Sequence, residues 1–180
     1  MVADIDLDSE VLRFLGPLRF DIYAAYRLFS LKTYKARLSY CKDWDTRKPL
    51  PPTSEAITAT TGGANWVTVD TDKFVTILAL LVPWISMTNK MTNNLELGGD
   101  MMKIMFVRRK VGWFKLVRSF LSFDDKASQE SHKCVEFIDC NAFRLEPLGK
   151  KNTYMNVDGE VTEYETTQAV VKQDGWKLCC

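Results

Sequence analysis

From Trp66 onward the chain breaks into short extended runs separated by polar or turn-forming residues, and that spacing constrains the fold more than any other feature. The runs are WVTVD, MMKIMFVRR, KCVEFIDC, AFRLEP, TYMNVDGEVTEY, QAVVKQ and WKLCC. Short strands with regular turn signals predict an antiparallel β domain rather than a parallel sheet with crossover helices. The sharpest local signal is MNVDGEVTEY, where Asp158-Gly159 sits between alternating apolar residues. Asp-Gly is favoured in two-residue hairpin turns because both central positions require positive φ. By itself this stretch reads as a turn and nothing more.

The first third of the chain differs. MVADIDLDSE carries Asp4, Asp6, Asp8 and Glu10 at every second residue, and a period of two predicts a strand. Asp8 or Ser9 can then cap a helix that Gly16-Pro17 interrupts and a second helix follows, with Pro17 near its first position. In that second helix Leu18, Ile22, Ala25 and Phe29 form an apolar stripe. ARLSYC reads as a strand, and the Pro-, Thr- and Gly-rich stretch over about 42–65 as a long polar loop. FVTILALLVPWISM, residues 74–87, is too short to span a bilayer and contains Pro83, so it reads as a buried helix or strand. GWFKLVRSFLSF has helical spacing, with Trp113, Leu116, Phe120 and Phe123 near one face. The expected architecture is mainly β with helical insertions (α+β), an antiparallel β-sandwich forming a single domain over 1–180.

Composition removes several functional classes. A net charge of +1 and the lack of a basic tail give no global attraction to nucleic acid. One histidine, His132, excludes a readable Ser-His-Asp triad and the common Cys/His zinc spacings. The five cysteines show no C-x-x-C pair, and without a leading signal peptide they read as free thiols of a reducing cytosol. The terminal Cys179-Cys180 is weak evidence for lipidation. LGGDM at 97–101 lacks the following glycine and the Lys-Ser/Thr of a phosphate loop.

Three local constellations are chemically suggestive, each with a plainer alternative. The acidic ladder can hold a cation or ammonium, or be a solvated strand face. Arg13 and Arg19 flank the Gly16-Pro17 break, where two guanidiniums can converge on one phosphate beside a helix N-terminus, or simply be surface arginines. The stretch KIMFVRRKVGWFKLVRSF interleaves six cations with apolar residues, suiting an anionic membrane surface or the charged outer face of a core helix.

The run ADIDLDSE, followed by Arg, Leu-Gly and Arg-Phe, resembles the sphingosine kinases. The resemblance continues through KARLSY, FVTILALL, FRLEP and VDGE, and is poorest over 42–65. It implies a two-domain lipid kinase whose N-terminal α/β domain carries a glycine-rich motif with the general base. Its C-terminal β-sandwich holds the lipid, with ATP and Mg2+ in the cleft between the domains. This chain resembles the C-terminal domain alone, so no catalytic residue is expected in it and negligible turnover is expected of it by itself. By resemblance, Asp6 holds the headgroup of sphingosine or a similar long-chain base. Arg13 and Arg19 reach the ATP phosphates, with Glu10 orienting one of them. Asp158, Gly159 and Glu160 face the nucleotide and its magnesium. Phe20, Ile85, Met105, Leu116, Phe120 and Phe123 line the lipid pocket. The implied setting is cytoplasmic with peripheral membrane contact. Alternatives are a non-catalytic lipid-binding fragment, or a lobe acting on diacylglycerol or ceramide. Where relatives carry Lys-Tyr after SE, this chain has Val11-Leu12, and Phe14 replaces an often basic residue.

Overall fold

The computed structural model describes residues 2–85, 90–96, 98–110, 112, 134–149 and 154–172. The helix expected over GWFKLVRSFLSF and the WKLCC run fall outside them. The first departure from expectation comes at once, because the opening residues form a helix, α1 (Val2–Asp8), rather than a strand. A strand there would need a neighbour along its whole backbone, whereas a helix pairs part of its own N–H and C=O groups internally. The acids spaced by two mask a second spacing, in which Asp4, Ile5 and Ser9 recur at helical intervals and are all buried.

A 3-10 helix over Ser9–Leu15 follows directly. Asp8 precedes it but makes no side-chain capping bond, so the expected cap is not formed. Gly16, at φ 57°, turns the chain, and its amide bonds the Arg13 carbonyl. Pro17 leads into α2 (Leu18–Phe29), as the Gly-Pro break predicts. The apolar stripe of α2 does not face the core. Leu18, Ile22 and Phe29 are exposed, while Ala24 and Arg27 are buried.

The strands are β1 (Tyr34–Cys41), β2 (Trp66–Thr68), β3 (Lys73–Leu80), β4 (Met102–Arg108), β5 (Glu136–Cys140), β6 (Ala142–Pro147), β7 (Met155–Val157), β8 (Glu160–Thr162) and β9 (Thr167–Val170). Seven of them join one sheet in the order β5-β4-β3-β1-β6-β9, with β2 also on β1. All pairings are antiparallel, as the turn spacing predicts. FVTILALL is therefore a strand, and its β-branched and aromatic content favours that choice.

The sheet divides at β1. Its first residues, Tyr34 and Lys35, pair with β3, while Ser39–Cys41 pair with β2 on the same edge. One edge serving two partners means that the sheet splays there, and β6 runs along the opposite edge from Ala36 to Cys41. The two halves share one core: Ala36 and Leu38 of β1 pack with Phe74, Ile104, Phe106, Cys140 and Phe143. Phe74 and Phe106 meet edge to face at 5.8 Å. The hairpin of β7 and β8 stands as a separate two-stranded sheet.

The loop over 42–65 is polar, as expected, but it is tied down. Trp44 and Trp66 pack at 5.7 Å against Cys41, Ala64 and Ala142. Beyond them the fully buried Arg144 of β6 donates to the carbonyls of Pro51, Pro52 and Glu55, at 2.6, 3.0 and 2.5 Å, and to Gln168 of β9. A buried charge needs this density of acceptors. No helix among the described residues is long and apolar enough to cross a membrane.

Candidate functional site: an arginine pair at the Gly16-Pro17 corner

The corner at Gly16-Pro17 brings three of the sequence-predicted residues together. Arg13 lies in the last turn of the 3-10 helix and Arg19 in the first turn of α2, on either side of the corner. Glu10 sits between them. It accepts a hydrogen bond from Arg19 Nη1, and its other oxygen lies 3.6 Å from Arg13 Nη1. The hydrogen bond from Arg19, with the charges of both arginines, holds the Glu10 carboxyl below its usual range. The two arginines differ in freedom. Arg19 is 14% exposed and its guanidinium lies 4.5 Å from the Phe20 ring, whereas Arg13 is 81% exposed. A largely covered guanidinium beside an exposed one, at a helix start, forms a surface that can receive an anion.

Asp6 falls in the middle of α1, between two acids the structure assigns to other work. The Tyr34 hydroxyl donates to the fully buried Asp4, and Arg27 Nη2 donates to Asp8. Burial by itself would lower the Arg27 pKa, but the charges of Asp4 and Asp8 hold it above its ordinary value. Tyr23, alongside, is raised by burial and by the Asp8 charge. Arg27 and Tyr34 carry no motif signal in the sequence. Their only trace is a cation inside a helix whose neighbours are apolar, which reads equally well as a surface residue.

Asp158 and Gly159 form the two-residue turn expected of them, at φ 49° and 89°, with Val157 opposite Glu160. Among the described residues no hydrogen bond or ion pair joins this turn to the arginine pair. Three of the six expected lipid-pocket residues lie among the described residues. Phe20 and Ile85 are partly exposed, and Met105 is buried with Leu80, Met91 and Leu95. Leu116, Phe120 and Phe123 lie outside the described residues. No group of three or more His, Cys, Asp or Glu side chains that could hold a metal occurs among the described residues.

No family model matches the chain. It is 32% identical over 185 residues to sphingosine kinase 1 of Rattus norvegicus, covering 94% of this chain and 47% of that protein. With sphingosine kinase 1 of Homo sapiens it shares 29% identity over 183 residues, again 94% of this chain and 47% of the relative. A Bacillus anthracis protein assigned to the diacylglycerol kinases matches in structure, with TM-score 0.52 at 10% identity over 83% of this chain and 40% of that one. The structural match supports the fold. The chain spans about half the length of the curated relatives it matches. It is a homologue of the sphingosine kinases, built on the β-rich fold of the diacylglycerol-kinase-like lipid kinases.

Proposed function

We propose that this chain is the lipid-binding lobe of a sphingoid-base kinase, the part that presents a long-chain amino alcohol to ATP for formation of sphingosine 1-phosphate. The observation that carries the reading is the Arg13–Glu10–Arg19 cluster at the Gly16-Pro17 corner. Phosphoryl transfer rests on positioning and charge neutralisation, and two guanidiniums steadied by one carboxylate suit the phosphates of a nucleotide. Arg19, held by Glu10, acts as the fixed contact, and Arg13 closes on the phosphate from solvent.

Asp6 takes the substrate headgroup. A carboxylate pairs with the ammonium of a sphingoid base and orients its primary hydroxyl, which shortens the approach to the γ-phosphate. The Asp158–Glu160 turn contributes from the nucleotide and magnesium side, where Asp158 and Glu160, both exposed, can hold an Mg2+-bound water. Phe20, Ile85 and Met105, with Leu116, Phe120 and Phe123, clasp the alkyl chain. ATP and Mg2+ are shared with a second, nucleotide-binding lobe that supplies the general base. Val11, Phe14, Leu18, Ile22 and Phe29 are each exposed apolar residues, which supports contact with a peripheral lipid surface, the source of the substrate.

A phosphate-transfer assay tests the division of labour. With Mg-ATP and sphingosine, the chain by itself is expected to yield negligible sphingosine 1-phosphate. Joined to the nucleotide-binding lobe of a sphingosine kinase it is expected to turn over, and Arg13→Ala or Arg19→Ala to raise the KM for ATP. Robust activity from the chain alone overturns the assignment as a lobe. Unchanged ATP dependence in both arginine variants overturns the phosphate role.

A further inference from the structure

Helix α1 is only seven residues long, too short to hold its shape or orientation by its own hydrogen bonds. What sets its rotation is a buried polar network. Tyr34, the first residue of β1, donates its hydroxyl to Asp4, which is fully buried. Arg27, from the last turn of α2, donates to Asp8 while its side chain is 7% exposed. The two acids are four residues apart, so about 40° separates them around the helix axis, and both belong to one face. Position 6 lies some 160–200° around the same axis from either.

Apolar contacts would let a two-turn helix roll, because they are non-directional. A phenol–carboxylate bond and a guanidinium–carboxylate bond, at successive turns and anchored in different elements, do not permit this. Buried ion pairs are poor sources of net stability, and their best-attested use is fixing one arrangement against alternatives. The Arg27 Nε, buried with no hydrogen-bond partner, agrees with that emphasis: the side chain is placed for geometry at Asp8 rather than for a complete set of bonds.

We propose that Tyr34 and Arg27 are positioning residues for the headgroup acid: they lock the rotation of α1 through Asp4 and Asp8 and so set how strongly the lobe selects a ligand with a free amine. This rests on the reading of Asp6 as the headgroup anchor. Neither residue touches the ligand. Their effect is on amine selectivity, because a rolled helix moves the carboxylate away from the ammonium while the alkyl chain keeps its contacts.

The experiment compares binding of sphingosine and of short-chain ceramide, whose nitrogen is acylated, to the 180-residue chain, followed by tryptophan fluorescence from its five tryptophans. Tyr34→Phe removes one hydroxyl and keeps the ring, and Arg27→Lys keeps the charge but loses the fork. Thermal melting is recorded for each. The wild-type chain is expected to prefer sphingosine, and Asp6→Asn to lose that preference. Tyr34→Phe and Arg27→Lys are each expected to shrink the sphingosine-to-ceramide ratio about five-fold, the size of one hydrogen bond. If they weaken both ligands equally, or keep the wild-type ratio while Asp6→Asn abolishes it, the positioning role is overturned and the headgroup reading stands. If Asp6→Asn itself keeps the ratio, the headgroup reading fails and the positioning role falls with it.

Discussion

Arg19 donates a hydrogen bond to Glu10 across the Gly16-Pro17 corner, so the carboxylate belongs to the 3-10 helix and the guanidinium to α2. The pair therefore staples two elements as well as fixing an arginine. Because Arg19 lowers the Glu10 pKa in the folded protein, its stabilisation is present above the ordinary value of 4.5 and is lost as pH falls through the lowered folded value. Glu10→Gln should melt slightly below wild type at pH 7, and the two melting curves should converge in acid. The effect is small because the pair is solvent-exposed. A gap that widens as pH falls contradicts the assignment.

Arg144 should be among the most sensitive positions in the fold. Replacing it with Met takes the donor from the Glu55 carbonyl and leaves the Pro51 and Pro52 carbonyls with one donor each, Gln168 Nε2 and the Glu55 amide. A charged hydrogen bond contributes about 1.5–3 kcal/mol, so urea denaturation should show about 2–3 kcal/mol less stability. Limited proteolysis should move to residues 50–56 in the variant. Unchanged cleavage there would mean that the Trp44–Trp66 cluster and the Gln168–Pro51 hydrogen bond hold the loop without Arg144.

Two glycines with similar backbones should respond differently to alanine. Gly62 and Gly159 have φ of 67° and 89°, where an L side chain is strained. At Gly159 an added Cβ meets nothing within 4 Å, and Gly159→Ala should cost about 1 kcal/mol from backbone strain. At Gly62 the same atom would lie 2.5 Å from the Trp44 ring, which is packed against Trp66. Gly62→Ala should cost about 2–4 kcal/mol by equilibrium unfolding, since an overpacking penalty is added to the strain. Equal losses at the two sites would refute the close approach.

The buried thiols should be inert in the native state. Burial pushes Cys41 up to about 11 and Cys140 up to about 12, the former aided by its hydrogen bond to Asp43. Thiolate is the reactive form, so at pH 8 neither should react with an alkylating reagent until urea is added. Mass spectrometry of the peptides containing Cys41 and Cys140 reads this directly, and fast native labelling at either would contradict their burial.

How much of this was legible in the sequence depends on which interactions have a local signature. Antiparallel strands, the Asp158-Gly159 turn and the Gly16-Pro17 break were legible because each is set by neighbouring residues. The opening helix was not. Its acids alternate, and the competing helical spacing of Asp4, Ile5 and Ser9 becomes visible only once Tyr34 and Arg27 are known to engage Asp4 and Asp8. The same long-range contacts turned Leu18, Ile22 and Phe29 of α2 outward, against the usual meaning of an apolar stripe. Arg144 lies within FRLEP, but nothing local announces that its acceptors sit some 90 residues earlier. The Arg13–Glu10–Arg19 cluster lay between these extremes: its members are close in sequence, and only the handedness of the corner was missing.

Asp6 is proposed to receive the amine of a sphingoid base. Isothermal titration of sphingosine into the wild-type chain and into Asp6→Asn tests it most directly. Saturable binding is expected of the wild-type chain, with a loss of about ten-fold or more in affinity for Asp6→Asn, the value of one charge-assisted pair. Binding of sphingosine by Asp6→Asn with unchanged affinity would contradict it.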